Sequence, residues 1–196
     1  MSEHQHVELV ADRTVDRLVR VALFAALLGV LSYVAFPYPL SPAPVTLQVL
    51  GVFLAGIFLG PIWGAIAVVV YLVAGAIGLP VFSMGQSGIG VLLSERVGFL
   101  VSFPIAAAMT GAIVHGGRSL VDPTTVSTLR LVLGMTLATG VIYLLGLIGF
   151  MIVLSMGPVE AFVVAGLVFL PAEVAKMAGA IAIVRSARLP RSLIDR

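Results

Sequence analysis

Hydrophobic positions along this chain fall in long blocks, without the two-residue alternation of a half-buried strand or the polar stripe of a soluble helix. No Asp, Glu, Lys or Arg occurs between Arg20 and Glu95, nor between Arg130 and Glu160. A helix needs roughly 20 apolar residues to cross a bilayer. Hydropathy read together with Pro and Gly breakers predicts six such helices, near 18–36, 45–59, 61–79, 97–115, 130–154 and 160–184. Residues 1–16 are then a polar N-terminal tail, and 80–96 a loop between the third and fourth helices. The second helix is short, its stretch rising only about 22 Å against a hydrocarbon core of about 30 Å. Pro39, Pro42 and Pro44 bound it on one side and Gly60-Pro61 on the other. Proline removes backbone donors that lipid cannot replace, so this span is expected to lie among its neighbours or to border a cavity.

Composition turns the pattern into a fold class. Of 196 residues, 60% are hydrophobic and 10% charged, with a mean hydropathy of +1.18, where soluble domains average about 45–50% and 25%. An ordinary soluble domain, a disordered chain and a nucleic-acid binder are excluded. The expectation is an all-α, multi-pass protein of the cell membrane, residues 1–196 forming one compact bundle whose short loops leave no room for a separate domain. The first twelve residues, MSEHQHVELVAD, lack the basic region and cleavage site of a signal peptide, so the first apolar span is expected to remain in the mature protein.

The placement of charge predicts orientation. Six spans put both termini on one side, which then carries Arg13, Arg17, Arg20, Arg118, Arg130, Arg185, Arg188, Arg191 and Arg196, while the other side has only Arg96. Basic residues concentrate on the cytoplasmic face, so both termini are expected there and the segments 36–44 and 80–96 outside. These arginines could also meet anionic lipid, although setting topology accounts for them.

The only lysine lies inside the last span. Lys176 follows Glu173 by three positions in FLPAEVAKMAGAIAIV, which puts both side chains on one helical face. Ionised groups inside a bilayer are costly unless they pair and face protein or water. They read either as a structural ion pair or as a site for a small polar ligand, Glu173 accepting from N–H groups and Lys176 donating to an oxygen. Pro171 could free carbonyls for the same ligand or only kink the helix. Thr46 and Gln48, at the mouth of the short second span, suit ligand contact or interhelical bonding equally. Gly56, Gly60 and Gly64 recur at four-residue spacing, which reads as close packing. Gly85, Gly88 and Gly90 in SMGQSGIG make a flexible loop that could close over a cavity. Ala22 and Ala26 form a small-residue stripe on the first span, with Ala25 and Gly29 beside it, suited to close approach of another helix.

Several chemistries have no machinery. Cysteine is absent, which removes disulfides and thiolate catalysis. The lysine follows Ala175, so the chain has no P-loop for ATP. His4 and His6 lie in the tail and His115, read as an interfacial histidine, stands alone, so no zinc set forms. Ser102 is about 20 Å from His115 along one helix, too far for a serine–histidine couple. The chain reads as no enzyme, with no catalytic residue, metal or cofactor of its own.

The run PLSPAPVTLQVLGVFLAGIFLGPIWGAIAVVVYLVAGAIGLPVFSMGQSGIGVLL, residues 39–93, resembles the biotin-specific substrate-binding component (BioY family) of energy-coupling factor transporters. The pieces P-x-T-L-Q, L-A-G-x-x-L-G-P, Y-L-x-x-G-A-I-G-L-P-V-F and G-x-G-V-L-L come in the family's order, and the likeness returns at FLPAEVAK, 169–176. The resemblance implies a six-helix protein that binds biotin from outside and works with a transmembrane coupling protein and cytoplasmic ATPases, which alone use ATP. It implies that Thr46, Gln48, Tyr71, Ser87, Gly88, Glu173 and Lys176 line the ligand cavity and that Ala22 and Ala26 dock on the coupling protein. One departure is Glu173, where the family usually has Asp; its extra methylene shifts the carboxylate by more than about an ångström. Another small vitamin is therefore the alternative ligand, and a non-transport membrane assembly protein with a structural Glu–Lys pair the alternative class.

Overall fold

A computed structural model describes residues 4–37, 39–117 and 119–187, with the side chains of 4–13 and of Ala165 left aside. Arg118, Arg188, Arg191 and Arg196, four of the arginines that set the expected orientation, lie outside the described residues. The chain is mostly helical: α1 (His4–Tyr33), α2 (Gln48–Ala76), α3 (Ile89–Leu92), α4 (Val97–His115), α5 (Thr128–Val153), α6 (Pro158–Ala165) and α7 (Leu170–Ser186). Strands β1 (Ala35–Phe36) and β2 (Val45–Thr46) pair antiparallel. Among the described residues, four stretches, Gln48–Ala76, Val97–His115, Thr128–Val153 and Pro158–Ser186, are long and apolar enough to cross a membrane. The apolar side chains they leave outward, such as Val73, Leu137, Leu144 and Val174, are what hydrocarbon rather than water accommodates.

Residues expected to form a polar tail at 1–16 are helical from His4 onward, continuous with the first apolar span. An Asp16–Arg20 ion pair of 2.8 Å, one turn apart, supports this segment along its own helix, and the Arg17 guanidinium over the Trp63 ring, 5.6 Å from its centroid, holds it against the bundle.

α2 contains the two spans expected at 45–59 and 61–79, and it is a hairpin. Gly60 takes φ 78° and ψ −177°, a conformation that an L side chain resists. A straight helix would hold residues 48 and 71 about 35 Å apart, yet Gln48 Nε2 donates to Tyr71 Oη at 2.5 Å. Likewise a Cβ at Gly64 would lie 2.8 Å from the Ala55 carbonyl oxygen. The two arms, 48–59 and 61–76, therefore run back along each other, and nearly every residue of the shorter arm is buried.

Pro61 cannot supply the N–H that a continuing helix would offer to the Ile57 carbonyl. His115 replaces it. Val121 N–H donates to His115 Nδ1 at 3.1 Å, so the ring proton sits on Nε2, which donates to Ile57 O at 2.9 Å. His115 is therefore a buried bridge between the hairpin and α4, not an interfacial residue: a histidine at a helix end looks exposed until the partner helix is in place.

α4 packs between α2 and α5, α1 lies on α2, and α7 rests against both α2 and α5. Contact between α2 and α4 is backbone-close. A Cβ on Gly111 would meet Pro61 N at 2.5 Å, and one on Gly56 would meet the Ala107 oxygen at 2.4 Å. Leu28, Phe53, Ile57, Val68, Ala107, Met135, Ile142 and Ala180 meet in one core. The helix expected at 160–184 is interrupted: Gly166 leaves helical geometry at φ −123° and ψ −73°, a 3₁₀ turn covers Leu167–Phe169, and α7 then begins. Pro171 stands in the first turn of α7, where its missing N–H costs no hydrogen bond, so it starts a helix rather than kinking one.

Candidate functional site

One cavity of about 610 Å³, counting the part open to the outside, lies at the end of the bundle where α1 meets α2 and α4 and α7 begin. Its wall is built from the segment 43–49, the loop after α2, the first turns of α4, the later half of α5 and the start of α7. Phe82, Phe99, Phe103 and Phe169 make it largely aromatic, with Phe99 edge-on to Phe150 at 5.5 Å.

Thr46, Gln48, Glu173 and Lys176 all line this cavity. Pairing of β1 with β2 sets Thr46 opposite Ala35, and Leu47 N–H donates to Val34 O at 3.1 Å, which ties the segment to the end of α1. Thr46 Oγ1 donates to Gln48 Oε1 at 2.9 Å and accepts from Gln48 N–H at 3.3 Å. Gln48 therefore binds the two arms of α2 together and also lines the cavity. Tyr71 stands behind it, 1% exposed, with its ring edge-on to Phe82 at 5.7 Å; it supports the wall without being part of it. Ser87 and Gly88 are not among the lining residues. Gly88 N–H donates to Gly75 O at 2.7 Å, which anchors the loop to the end of α2.

Glu173 and Lys176 are 3% and 6% exposed. Lys176 Nζ donates to Glu173 Oε1 at 2.5 Å, and the carboxylate lies in the first turn of α7, where free N–H groups and the helix dipole favour negative charge. Three polar lining residues, and the aromatic wall, escaped the sequence reading. Arg96 pairs through Nε with Glu95 at 3.4 Å and through a terminal nitrogen with Gln86 Oε1; in the sequence it looked like an ordinary loop cation. Ser83 opens the glycine-rich loop SMGQSGIG without standing out in it, and Tyr143 is a single polar group in an apolar segment.

Among the described residues, the Ser83 hydroxyl, the Tyr143 hydroxyl and Glu173 Oε2 are buried with no hydrogen-bond partner, and all three residues line the cavity. Buried polar groups left unpaired cost about 1–3 kcal/mol each. Three converging on one apolar hollow describe a receptor for a small molecule that carries its own donors and acceptors.

Ala22 and Ala26 are exposed on α1, whereas Ala25 is buried and Gly29 packs on Val81. The two stripes are neighbours on the helix, one turned outward and the other packed into the bundle. Trp63 is beside Arg17 and does not line the cavity.

Fold and cavity together define a multi-pass membrane protein with a largely apolar pocket at one end of its helices. A model of the BioY family matches residues 3–192, and the chain belongs to that family. It is 36% identical over 167 residues to the biotin transporter BioY of Rhizobium etli, covering 81% of this chain and 86% of that one. Against the biotin transporter BioY of Rhodobacter capsulatus it is 41% identical over 139 residues, 70% of each chain. The crystal structure of the S-component for biotin from an ECF-type ABC transporter superposes with a TM-score of 0.83 at 24% identity, covering 94% of this chain and 98% of that one, which shows a shared fold.

Proposed function

We propose that this chain is the biotin-binding membrane subunit of an energy-coupling factor importer. The observation that carries the reading is the convergence of the Glu173–Lys176 pair with unpaired buried polar groups on one aromatic cavity, in a chain of the BioY family. Biotin offers two ureido N–H donors, a ureido carbonyl, an apolar thioether ring and a carboxylate. Glu173 Oε2 accepts from a ureido N–H with Lys176 beside it, the phenylalanines cover the ring, and Arg96 supplies the positive charge that a carboxylate requires.

Six crossings follow from treating α1, each arm of α2, α4, α5 and α6–α7 as one span apiece. Arg17, Arg130 and Arg185 gather at the end opposite the cavity. Arg17 stacks on Trp63, Arg130 Nε donates to Ile113 O at 2.6 Å, and Arg185 donates to Val126 O at 2.6 Å. By the positive-inside rule that end is cytoplasmic, as are both termini, and the cavity opens outward. The chain hydrolyses nothing itself; a coupling protein docks on the exposed Ala22–Ala26 face and partner ATPases supply the energy.

Thermal melting with and without vitamins tests this. A ligand at 100 times its Kd stabilises the folded state by about 2.7 kcal/mol, so micromolar biotin raises the melting temperature by several degrees. A shift with another vitamin and none with biotin would move the assignment to that vitamin. No shift with any, together with destabilised pair variants, would leave a structural membrane protein.

A further inference from the structure

The geometry points to Tyr143 as the residue that reads the ligand's carbonyl, forming with Glu173 a two-point receptor for an adjacent N–H and C=O edge. This assignment rests on the biotin reading of the cavity and adds a specificity-determining residue to it.

Glu173 and Tyr143 come from different helices, α7 and α5, and meet at one wall. The hydroxyl lies beside the carboxylate, near enough for the two to interact. They nevertheless close no hydrogen bond of ordinary geometry, since the hydroxyl and Oε2 are both buried and unpartnered. Lys176 is already held on the other carboxylate oxygen, and Tyr143 is held by its ring against Phe169, 6.4 Å between centroids. The wall therefore presents one carboxylate acceptor, Oε2, next to a hydroxyl within its reach that can donate to it or to a ligand. An ionised carboxylate can only accept, whereas a phenol can also donate. The complement is a planar group with an N–H and a C=O side by side, which is the edge of a cyclic urea or a lactam. The N–H donates to Glu173 Oε2 while the carbonyl accepts from Tyr143 Oη–H, so two costly orphan groups are satisfied at once. A site built to bond a group rejects analogues lacking that group far more strongly than an apolar pocket could.

Two probes separate the parts: biotin, and 2-iminobiotin, whose protonated guanidinium-like head keeps the donors but offers no carbonyl acceptor. Titrated calorimetrically at neutral pH, the unmodified protein prefers biotin. Tyr143→Phe lowers biotin affinity by about tenfold, the value of one lost hydrogen bond, leaves 2-iminobiotin affinity unchanged, and so erases most of the preference. The unliganded variant melts at or above the wild-type temperature, because an unpaired buried hydroxyl has been removed; this shows that the variant is folded. Equal weakening of both ligands would mean that Tyr143 acts only through packing or through Glu173, and unchanged biotin affinity would mean that it makes no contact; either overturns the assignment while leaving the biotin reading intact. An unmodified protein that binds neither probe would overturn both.

Discussion

The Glu173–Lys176 pair is buried on both sides, so its two members are coupled and single substitutions mislead. Removing one partner strands a charge, and breaking a buried pair in this way costs about 3–5 kcal/mol. Glu173→Gln and Lys176→Met are each expected to lower the melting temperature of the unliganded protein by several degrees. The double variant, which strands nothing, recovers stability close to wild type. If the pair contacts ligand, the double variant still loses biotin affinity by more than tenfold; were the pair only structural, affinity would return together with stability. Denaturation and titration of the same preparations read both. At this scale the pair was legible because a lysine in an apolar helix has few excuses. Arg96, Ser83 and Tyr143 were not, since a loop arginine, a serine and a tyrosine each have ordinary reasons to occur where they do. Only their meeting across distant segments gives them a common purpose.

Helices are legible in this chain where breakers are strong. Pro61 after Gly60 announced the end of one span, but the tight hairpin depends on a histidine 55 or so positions on, whose bond to the Ile57 carbonyl no local pattern reveals. His115→Ala is expected to destabilise the protein by about 1–3 kcal/mol through the stranded Ile57 oxygen and Val121 N–H, with biotin affinity unchanged because the bridge lies far from the cavity. Gly111→Ala puts a methyl into the backbone of the facing hairpin and should cost about 1–3 kcal/mol by overpacking. Chemical denaturation in detergent measures both. The break at Gly166 was illegible for the opposite reason: a glycine in an apolar run is compatible with an unbroken span. It is also what matters most for the site, because it turns Glu173 from a mid-helix residue into one at a helix start, where a carboxylate is favoured.

As a whole, the molecule separates two ends. The cavity and Arg96 occupy one, Arg17, Arg130 and Arg185 the other, and α1 runs between them with Ala22 and Ala26 facing outward. Binding and docking should accordingly be separable. Ala22→Leu and Ala26→Leu are expected to leave biotin affinity unchanged while abolishing co-purification with ATPase subunits; loss of both together would mean that these alanines hold the bundle. Membrane residence and the outline of the fold followed from the charge-free blocks, whereas the cavity needed the pairing of β1 with β2 and the return of α7, neither of which has a local signature. The central claim, that this cavity is a biotin site, is tested most directly by calorimetric titration of the purified protein with biotin, side by side with the Glu173→Gln/Lys176→Met variant. Saturable binding of one biotin per chain, weakened more than tenfold in the variant, is the predicted result. Absence of saturable binding at micromolar biotin, or identical binding by the variant, would contradict it.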